Sequence, residues 1–265
     1  MATDYLEIRG LTVSFDGFKA VDGVDLTVFQ SDLRFLIGPN GAGKTTIIDA
    51  LTGLVPATGS AMFGSTQLVG RKSHQIARLG VGRTFQTASV FTELSVLQNL
   101  DIAAGAKRSP LALLGVRRRL PEIVQQALET IALTDELEKP AGVLSHGQKQ
   151  WLEIGMLLVQ DSQVMLLDEP VAGMSADERQ ATGELLTRIG VDRTVIIVEH
   201  DMDFMRRWAD SVTVLHQGKV LSEGSVAQVQ ADAGVQEVYL GRSHATGEAA
   251  EAVAEALGLL SDEVA

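Results

Sequence analysis

The sequence predicts an α/β fold in which a mostly parallel central sheet carries an inserted helical subdomain. Short apolar runs typical of buried strands alternate with segments of helical spacing, as in a parallel sheet covered by helices. A glycine-rich loop joins the third strand-like run to a helix. From Glu93 to about Leu158 the pattern is mostly helical, which interrupts the alternation and indicates an insertion.

The elements follow in order along the chain. Strands are predicted at LEIRGLTVSF, VDLTVF and LRFLIG, separated by Gly and Asp turns. A helix should begin at Lys44, and a short strand should span Val81 to Phe85. After the helical region, whose middle holds the connector RSPLALLGVRRRLPE, strands are predicted at VMLL (164–167), TVIIVE (194–199), SVTVL (211–215) and KVL (219–221). The acidic segment 244–265 is predicted to be either a mobile tail or a weak amphipathic helix.

Composition excludes several classes of protein. The net charge of −12 argues against a nucleic-acid binder whose affinity rests on a basic surface. The absence of cysteine excludes a disulfide scaffold and favours the cytosol. The N-terminus lacks the regions of a signal peptide, and glycines and Pro56 interrupt the uncharged stretch 50–70. A membrane role is therefore expected only through a partner.

The strongest motif is GPNGAGKT, which matches G-x-x-x-x-G-K-[ST] between a strand and a helix. Its glycines let backbone N–H groups face phosphate oxygens, and the helix N-terminus adds its positive end. Lys44 should reach the β- and γ-phosphates, and the Thr45 hydroxyl should bind Mg²⁺. The predicted residues of this phosphate loop are Gly38, Pro39, Asn40, Gly41, Ala42, Gly43, Lys44 and Thr45.

Polar residues follow two buried strands at the edge where open α/β sheets bind ligands. Asp168 and Glu169 end VMLLDEP, so Asp168 is expected to hold Mg²⁺ and Glu169 to deprotonate the attacking water. His200 ends TVIIVEH and is expected to hydrogen-bond the γ-phosphate and that water. Gln86, after VGRTF, is a weaker candidate for Mg²⁺ or water. Phe15 is expected to stack on adenine, although a core position explains it equally well.

The stretch LSHGQ (144–148) begins a second helix with a phosphate-friendly turn. It offers the Ser145 hydroxyl, N–H groups and a helix dipole, but it has no lysine and no strand–loop of its own. It is therefore interpreted as half of a site that a nucleotide on another chain completes, with a plain serine N-cap as the alternative. His146 stands where glycine might be expected and would place an imidazole at the edge of that site.

These motifs occur in the order found in the ATP-binding cassette (ABC) ATPases, and the chain resembles that family over roughly residues 5–241. The resemblance implies a P-loop NTPase core with an N-terminal antiparallel β part, at about residues 1–86 and 160–241, within a cassette of residues 1–241. It places the helical subdomain at about residues 87–159 and leaves an acidic tail at 242–265. ATP and Mg²⁺ are the implied cofactors.

The resemblance also implies a role for each motif residue. Glu169 corresponds to the catalytic base, His200 to the γ-phosphate switch, and Gln86 to a lever between Mg²⁺ and the membrane subunits. The implied nucleotide contacts are Phe15, residues 40–46 including Thr46, Ser145, His146, Gly147 and Gln148, and the implied metal contacts are Thr45, Gln86 and Asp168. The loop MSAD (174–177) departs from the commoner SALD-type wording at the expected dimer contact.

Within the family, the chain looks like the ATPases of importers for branched-chain amino acids and amides, and most like that of a urea importer. The implied partners are two transmembrane permease subunits, a second ABC ATPase in a homo- or heterodimer, and indirectly an external solute-binding protein. The implied location is the cytoplasmic face of the inner membrane. The alternatives are a soluble ABC ATPase acting on ribosomes or DNA, a P-loop GTPase and a non-catalytic regulatory cassette.

Overall fold

The structure is a computed structural model that describes residues 4–85, 88–105 and 121–240. Gln86, the arginine run 117–119 and the acidic segment 242–265 lie outside the described residues. The described strands are Asp4–Phe15 (β1), Phe18–Phe29 (β2), Leu33–Ile37 (β3), Thr58–Phe63 (β4), Thr66–Gln67 (β5), Val81–Arg83 (β6), Val164–Asp168 (β7), Thr194–Val198 (β8), Ser211–His216 (β9) and Lys219–Gly224 (β10).

The described helices account for most of the remaining chain. They are Lys44–Leu51 (α1), Ser73–Leu79 (α2), Val96–Gly105 (α3), Glu122–Thr130 (α4), His146–Val159 (α5), Ala176–Gly190 (α6), Met202–Trp208 (α7), Val226–Ala231 (α8) and Ala233–Leu240 (α9). Short 3₁₀ turns span Thr134–Glu136 and Ala141–Val143. None of the described helices combines the length and the apolar character needed to cross a bilayer.

An antiparallel sheet forms the N-terminal part, with strand order β2-β1-β4-β5. β1 and β2 form a hairpin in which Phe15 faces Phe18. Asp16 (φ 48°) and Gly17 (φ 87°) both have positive φ, as in the two-residue turns that match strand twist. The predicted start of β2 at Val24 was therefore wrong, because this Asp-Gly turn lets pairing begin six residues earlier.

The central sheet has the order β10-β9-β3-β8-β7-β6, and all its neighbours except β9 and β10 are parallel. All five residues of β3, β7 and β8 are buried. Alternate residues of these strands face two apolar clusters, one against the helical region and one against α1 and the antiparallel sheet. Burial on both faces explains the continuous apolar runs and confirms the predicted parallel core.

The carboxyl ends of β3, β7 and β8 lie at one edge, because these strands are mutually parallel neighbours in the order β3-β8-β7. The loop of residues 38–43, Glu169 and His200 all follow directly at that edge. The described part of the insertion is helical, as predicted, with α3 and α4 packed on α5. The fold thus assembles the phosphate loop with the polar residues that follow β7 and β8.

Candidate functional site

Close packing, as well as backbone conformation, requires two glycines of the phosphate loop. A Cβ atom at Gly38 (φ 148°) would lie 2.2 Å from the carbonyl oxygen of Leu215 in β9. A Cβ atom at Gly43 (φ 101°) would lie 2.5 Å from the carbonyl oxygen of Ala20 in β2. Side-chain carbons do not approach backbone oxygens so closely, so only glycine lets the loop pack between these strands and lead into α1.

Lys44 points back into the phosphate loop. Its Nζ donates hydrogen bonds to the carbonyl oxygens of Gly38 (2.8 Å) and Pro39 (3.2 Å). Burial lowers the pKa of Lys44, while the carboxylates of Glu169 and Asp168 act in the opposite direction. The loop therefore surrounds a buried ammonium that faces both acidic residues predicted from the motif after β7.

Asp168 and Thr45 meet as the metal prediction requires. The Thr45 hydroxyl lies 3.4 Å from Asp168 Oδ1, and Asp168 Oδ2 is buried without a hydrogen-bond partner. Burial raises the pKa of Asp168, while the bond to Thr45 and the charge of Arg83, whose Nη2 lies 3.9 Å from Oδ2, lower it. A hydroxyl beside an unsatisfied buried carboxylate oxygen suits Mg²⁺, which takes few protein ligands together with substrate phosphates.

Because Mg²⁺ needs so few protein ligands here, an all-protein metal cage is not expected. Among the residues that the structure describes, no group of three or more His, Cys, Asp or Glu side chains could hold a metal ion. The donor set fits a metal bound jointly by Thr45, Asp168 and a nucleotide.

Glu169 occupies a strained position directly after Asp168. Its φ of 51° is unusual for a non-glycine residue, and its N–H donates to the Val198 carbonyl oxygen at 2.8 Å. Its carboxylate Oε1 lies 3.4 Å from His200 Nδ1. Strain of this kind persists where surrounding structure fixes the backbone, often at functional sites. The structure thus brings together the two residues predicted to contact the attacking water.

The sequence reasoning missed Glu199, which positions the residues on both sides of this pair. Its buried carboxylate accepts hydrogen bonds from the backbone N–H groups of Val171 (3.2 Å), His200 (3.0 Å) and Asp201 (3.2 Å). Burial raises the pKa of Glu199, and these hydrogen bonds oppose the shift. A charged residue directly after the apolar run TVIIV was the available signal, but the prediction assigned it to the strand.

The turn of residues 144–148, here called the signature turn, does not join the phosphate loop through any hydrogen bond among the described residues. Ser145 caps α5, with its Oγ accepting from Gln148 N at 3.1 Å. The Ser145 hydroxyl also donates to Glu178 Oε1 at 3.0 Å, and His146 Nε2 lies 3.1 Å from the Ala172 carbonyl oxygen. The signature turn therefore contacts the segment that follows β7 in the same chain.

The remaining candidates are only partly placed. Phe15 ends β1 with 45% of its surface exposed, so its ring is accessible for stacking. Gln86 lies outside the described residues, but Glu153 Oε1 on α5 accepts from Phe85 N and Ser89 N, both at 3.3 Å. Burial raises the pKa of Glu153 to about 7. This buried carboxyl group, which the sequence analysis also missed, ties α5 to the backbone on both sides of Gln86.

Comparisons with known proteins agree with this geometry. The ABC transporter family model matches residues 21–172, and a model for branched-chain amino acid ATP-binding cassette transporters matches residues 219–245. The high-affinity branched-chain amino acid transport ATP-binding protein BraF of Pseudomonas aeruginosa is 34% identical over 256 residues, covering 92% of this chain and 100% of BraF. LivG of Escherichia coli K12, with the same description, is 34% identical over 259 residues and covers 92% and 100%.

Solved structures support the same assignment. An ATP-binding cassette of an ABC transporter in its ADP conformation superposes with a TM-score of 0.77 at 30% identity, covering 89% of this chain and 98% of that one. Fold and site together define a P-loop ATP-binding cassette. The chain belongs to the ABC transporter family, as an ATP-hydrolysing subunit of the branched-chain amino acid importer type.

Proposed function

We propose that this chain powers an importer for branched-chain amino acids by hydrolysing ATP at the cytoplasmic face of the membrane. The observation that carries this proposal is the convergence of Lys44, Thr45, Asp168, Glu169 and His200 at one edge of the central sheet. The full-length similarity to BraF and LivG, whose names specify branched-chain amino acids, supports the cargo.

In this proposal, the chain's own residues divide the work. Lys44 and the N–H groups of the phosphate loop bind the phosphates, and Thr45 and Asp168 hold Mg²⁺, which neutralises charge on the phosphates. Glu169 takes the proton of the attacking water, and His200, at 3.4 Å from Glu169, orients that water and contacts the γ-phosphate. The strained backbone at Glu169 fixes the carboxylate towards the phosphate loop.

A Glu169→Gln substitution tests the chemical assignment. It removes the base but keeps the shape of the side chain, so ATP binding should persist while turnover falls roughly 10²- to 10⁴-fold. Asp203→Asn is a matched control, because Asp203 is an exposed acid on α7 that pairs with Arg206 rather than with the site. Wild-type turnover in Glu169→Gln would refute the assignment of the base.

The cargo requires a transport experiment. The wording LSHGQKQWLEIGMLL favours urea or short amides, whereas the relatives at 34% identity favour branched-chain amino acids. In a strain lacking this chain, we expect labelled leucine uptake to fall and urea uptake to persist. The wild-type gene should restore leucine uptake, and the Glu169→Gln gene should not. Loss of urea uptake alone would reverse the choice of cargo.

The proposed partners are two membrane permease subunits, a second cassette paired head to tail, and an external solute-binding protein that delivers the cargo. The position of the signature turn, away from the chain's own phosphate loop, supports pairing between copies. Purification of the tagged chain from native cells should recover it with membrane proteins. Recovery with ribosomes instead would favour a soluble ABC ATPase.

A further inference from the structure

The signature turn is already occupied by an acidic side chain of its own chain. Glu178 lies in the first turn of α6, and its Oε1 accepts the Ser145 hydroxyl at 3.0 Å. The backbone N–H of Gly147 also donates to this carboxylate. A Cβ atom at Gly147 would lie 2.8 Å from Glu178 Oε1, so this carboxylate fills the space that a side chain at position 147 would need.

The other oxygen of Glu178 belongs to a helix cap. Oε2 accepts the N–H and the hydroxyl of Ser175, both at 3.0 Å, in the capping box at the start of α6. Hydrogen bonds from the Ser175 backbone and then from the side chains of Ser145 and Ser175 hold the pKa of Glu178 below its usual value. The group is therefore an anion at neutral pH, with one oxygen on its own cap and one on the signature turn.

The number of available protons makes this contact exclusive. A serine hydroxyl has one proton, and the ionised carboxylate of Glu178 can only accept it. Ser145 Oγ at the same time accepts from Gln148 N, so its proton is committed to Glu178. A phosphate oxygen is also an acceptor. It can bind Ser145 and Gly147 only by displacing Glu178 Oε1, and it would repel the carboxylate if both remained.

We infer that Glu178 is an internal competitor for the signature turn, which the γ-phosphate of a partner's ATP must displace before two copies of the chain can close. The inference rests on the proposed head-to-tail pairing. Its consequence is that Glu178 raises the ATP concentration needed for pairing, so the unpaired cassette does not close at low ATP.

Glu178→Gln separates this role from the capping role. Glutamine already completes the capping boxes of α5 (Gln148) and α8 (Gln228), so the substitution should keep the α6 cap while removing the charge. Glu184→Gln is the matched control. It removes one negative charge from the same helix at an exposed position, where the carboxylate accepts from Gln180.

The experiment uses the full chain with Glu169→Gln, which suppresses hydrolysis, and measures dimer formation against ATP concentration by analytical ultracentrifugation. Adding Glu178→Gln should lower the ATP concentration for half-maximal dimer about threefold to tenfold. Adding Glu184→Gln should leave that concentration unchanged. Unfolding midpoints should agree for all three proteins, because the cap is retained.

Equal ATP requirements for all three proteins would overturn the inference alone, as would a higher requirement for Glu178→Gln, which would make Glu178 a supporting contact. A parent protein that binds ATP but stays monomeric at saturating ATP would refute pairing between copies and this inference with it.

Discussion

Gly183 in α6 provides the most quantitative test of how the helices position the site. A Cβ atom there would lie 2.0 Å from Trp208 Cε2 and 2.3 Å from Nε1, whereas ordinary contacts begin near 3.4 Å. The indole would need to move by more than an ångström. It has little room, because Trp208 packs against Phe204 (6.5 Å between ring centroids) and Phe204 against the buried Phe35 (5.8 Å).

We therefore expect Gly183→Ala to destabilise the protein. Overpacking costs about 1–3 kcal/mol, and replacing glycine by alanine in a helix returns up to about 1 kcal/mol, so the net loss should be about 1–2 kcal/mol. Gly190→Ala is the control in the same helix. A Cβ there would meet only Leu33 Cβ, at an ordinary 3.9 Å, so this variant should be as stable as the wild type or slightly more stable.

Urea unfolding measures both variants, with the midpoint shift read at constant slope. The melting temperature of Gly183→Ala should lie roughly 3–8 °C below that of Gly190→Ala. Asp201 caps α7 directly after His200, so displacement of Trp208 should also lower kcat. If the two variants agree within about 0.5 kcal/mol, α6 and α7 are not packed as described.

Three further predictions concern other parts of the chain. Lys44→Ala should weaken ATP binding about 10- to 100-fold, because a charged donor to the phosphates is lost; calorimetric titration measures this, and unchanged affinity would contradict the phosphate-loop assignment. Glu153 binds more protons folded than unfolded between its usual pKa near 4.5 and its raised pKa of about 7, so it lowers stability as pH rises through that window. Glu153→Gln should therefore reduce the stability difference between pH 5 and pH 8 by about 2 kcal/mol, measured by unfolding at both pH values; an unchanged difference would show that Glu153 does not titrate there. Deleting residues 246–265, which lie beyond both family matches, should leave kcat unchanged in an ATPase assay, and a large loss would give the tail a catalytic role.

Local motifs were predictable because their chemistry is written in consecutive residues. The phosphate loop needs glycines at fixed spacing and a lysine at the start of a helix, and both follow a buried strand, so the spacing alone identifies Gly38 to Thr45. Asp168 and Glu169 were equally accessible, because a charged pair directly after an apolar run marks a strand end. The hairpin at Asp16 and Gly17 was also readable from its turn residues, but the prediction missed it.

The buried carboxylates were not predictable in the same way. Glu153 contacts backbone 64 and 68 residues away, and Glu178 contacts a hydroxyl 33 residues away. In the sequence, both residues stand on helices where an acid usually faces solvent. Only the packing of α5 against the chain near Gln86, and of α6 against the signature turn, gives these side chains partners, and no short-range pattern encodes that packing.

The position of His146 follows from the same contact between the signature turn and the segment after β7. The imidazole need not point towards a phosphate, because its Nε2 lies 3.1 Å from the Ala172 carbonyl oxygen and it packs beside Gly173. Only three residues separate Ala172 from Glu169. The chain's own base and the surface offered to a partner's ATP therefore lie on one short segment. A non-glycine residue at position 146 extends that contact and leaves the anion-binding groups to Ser145 and Gly147.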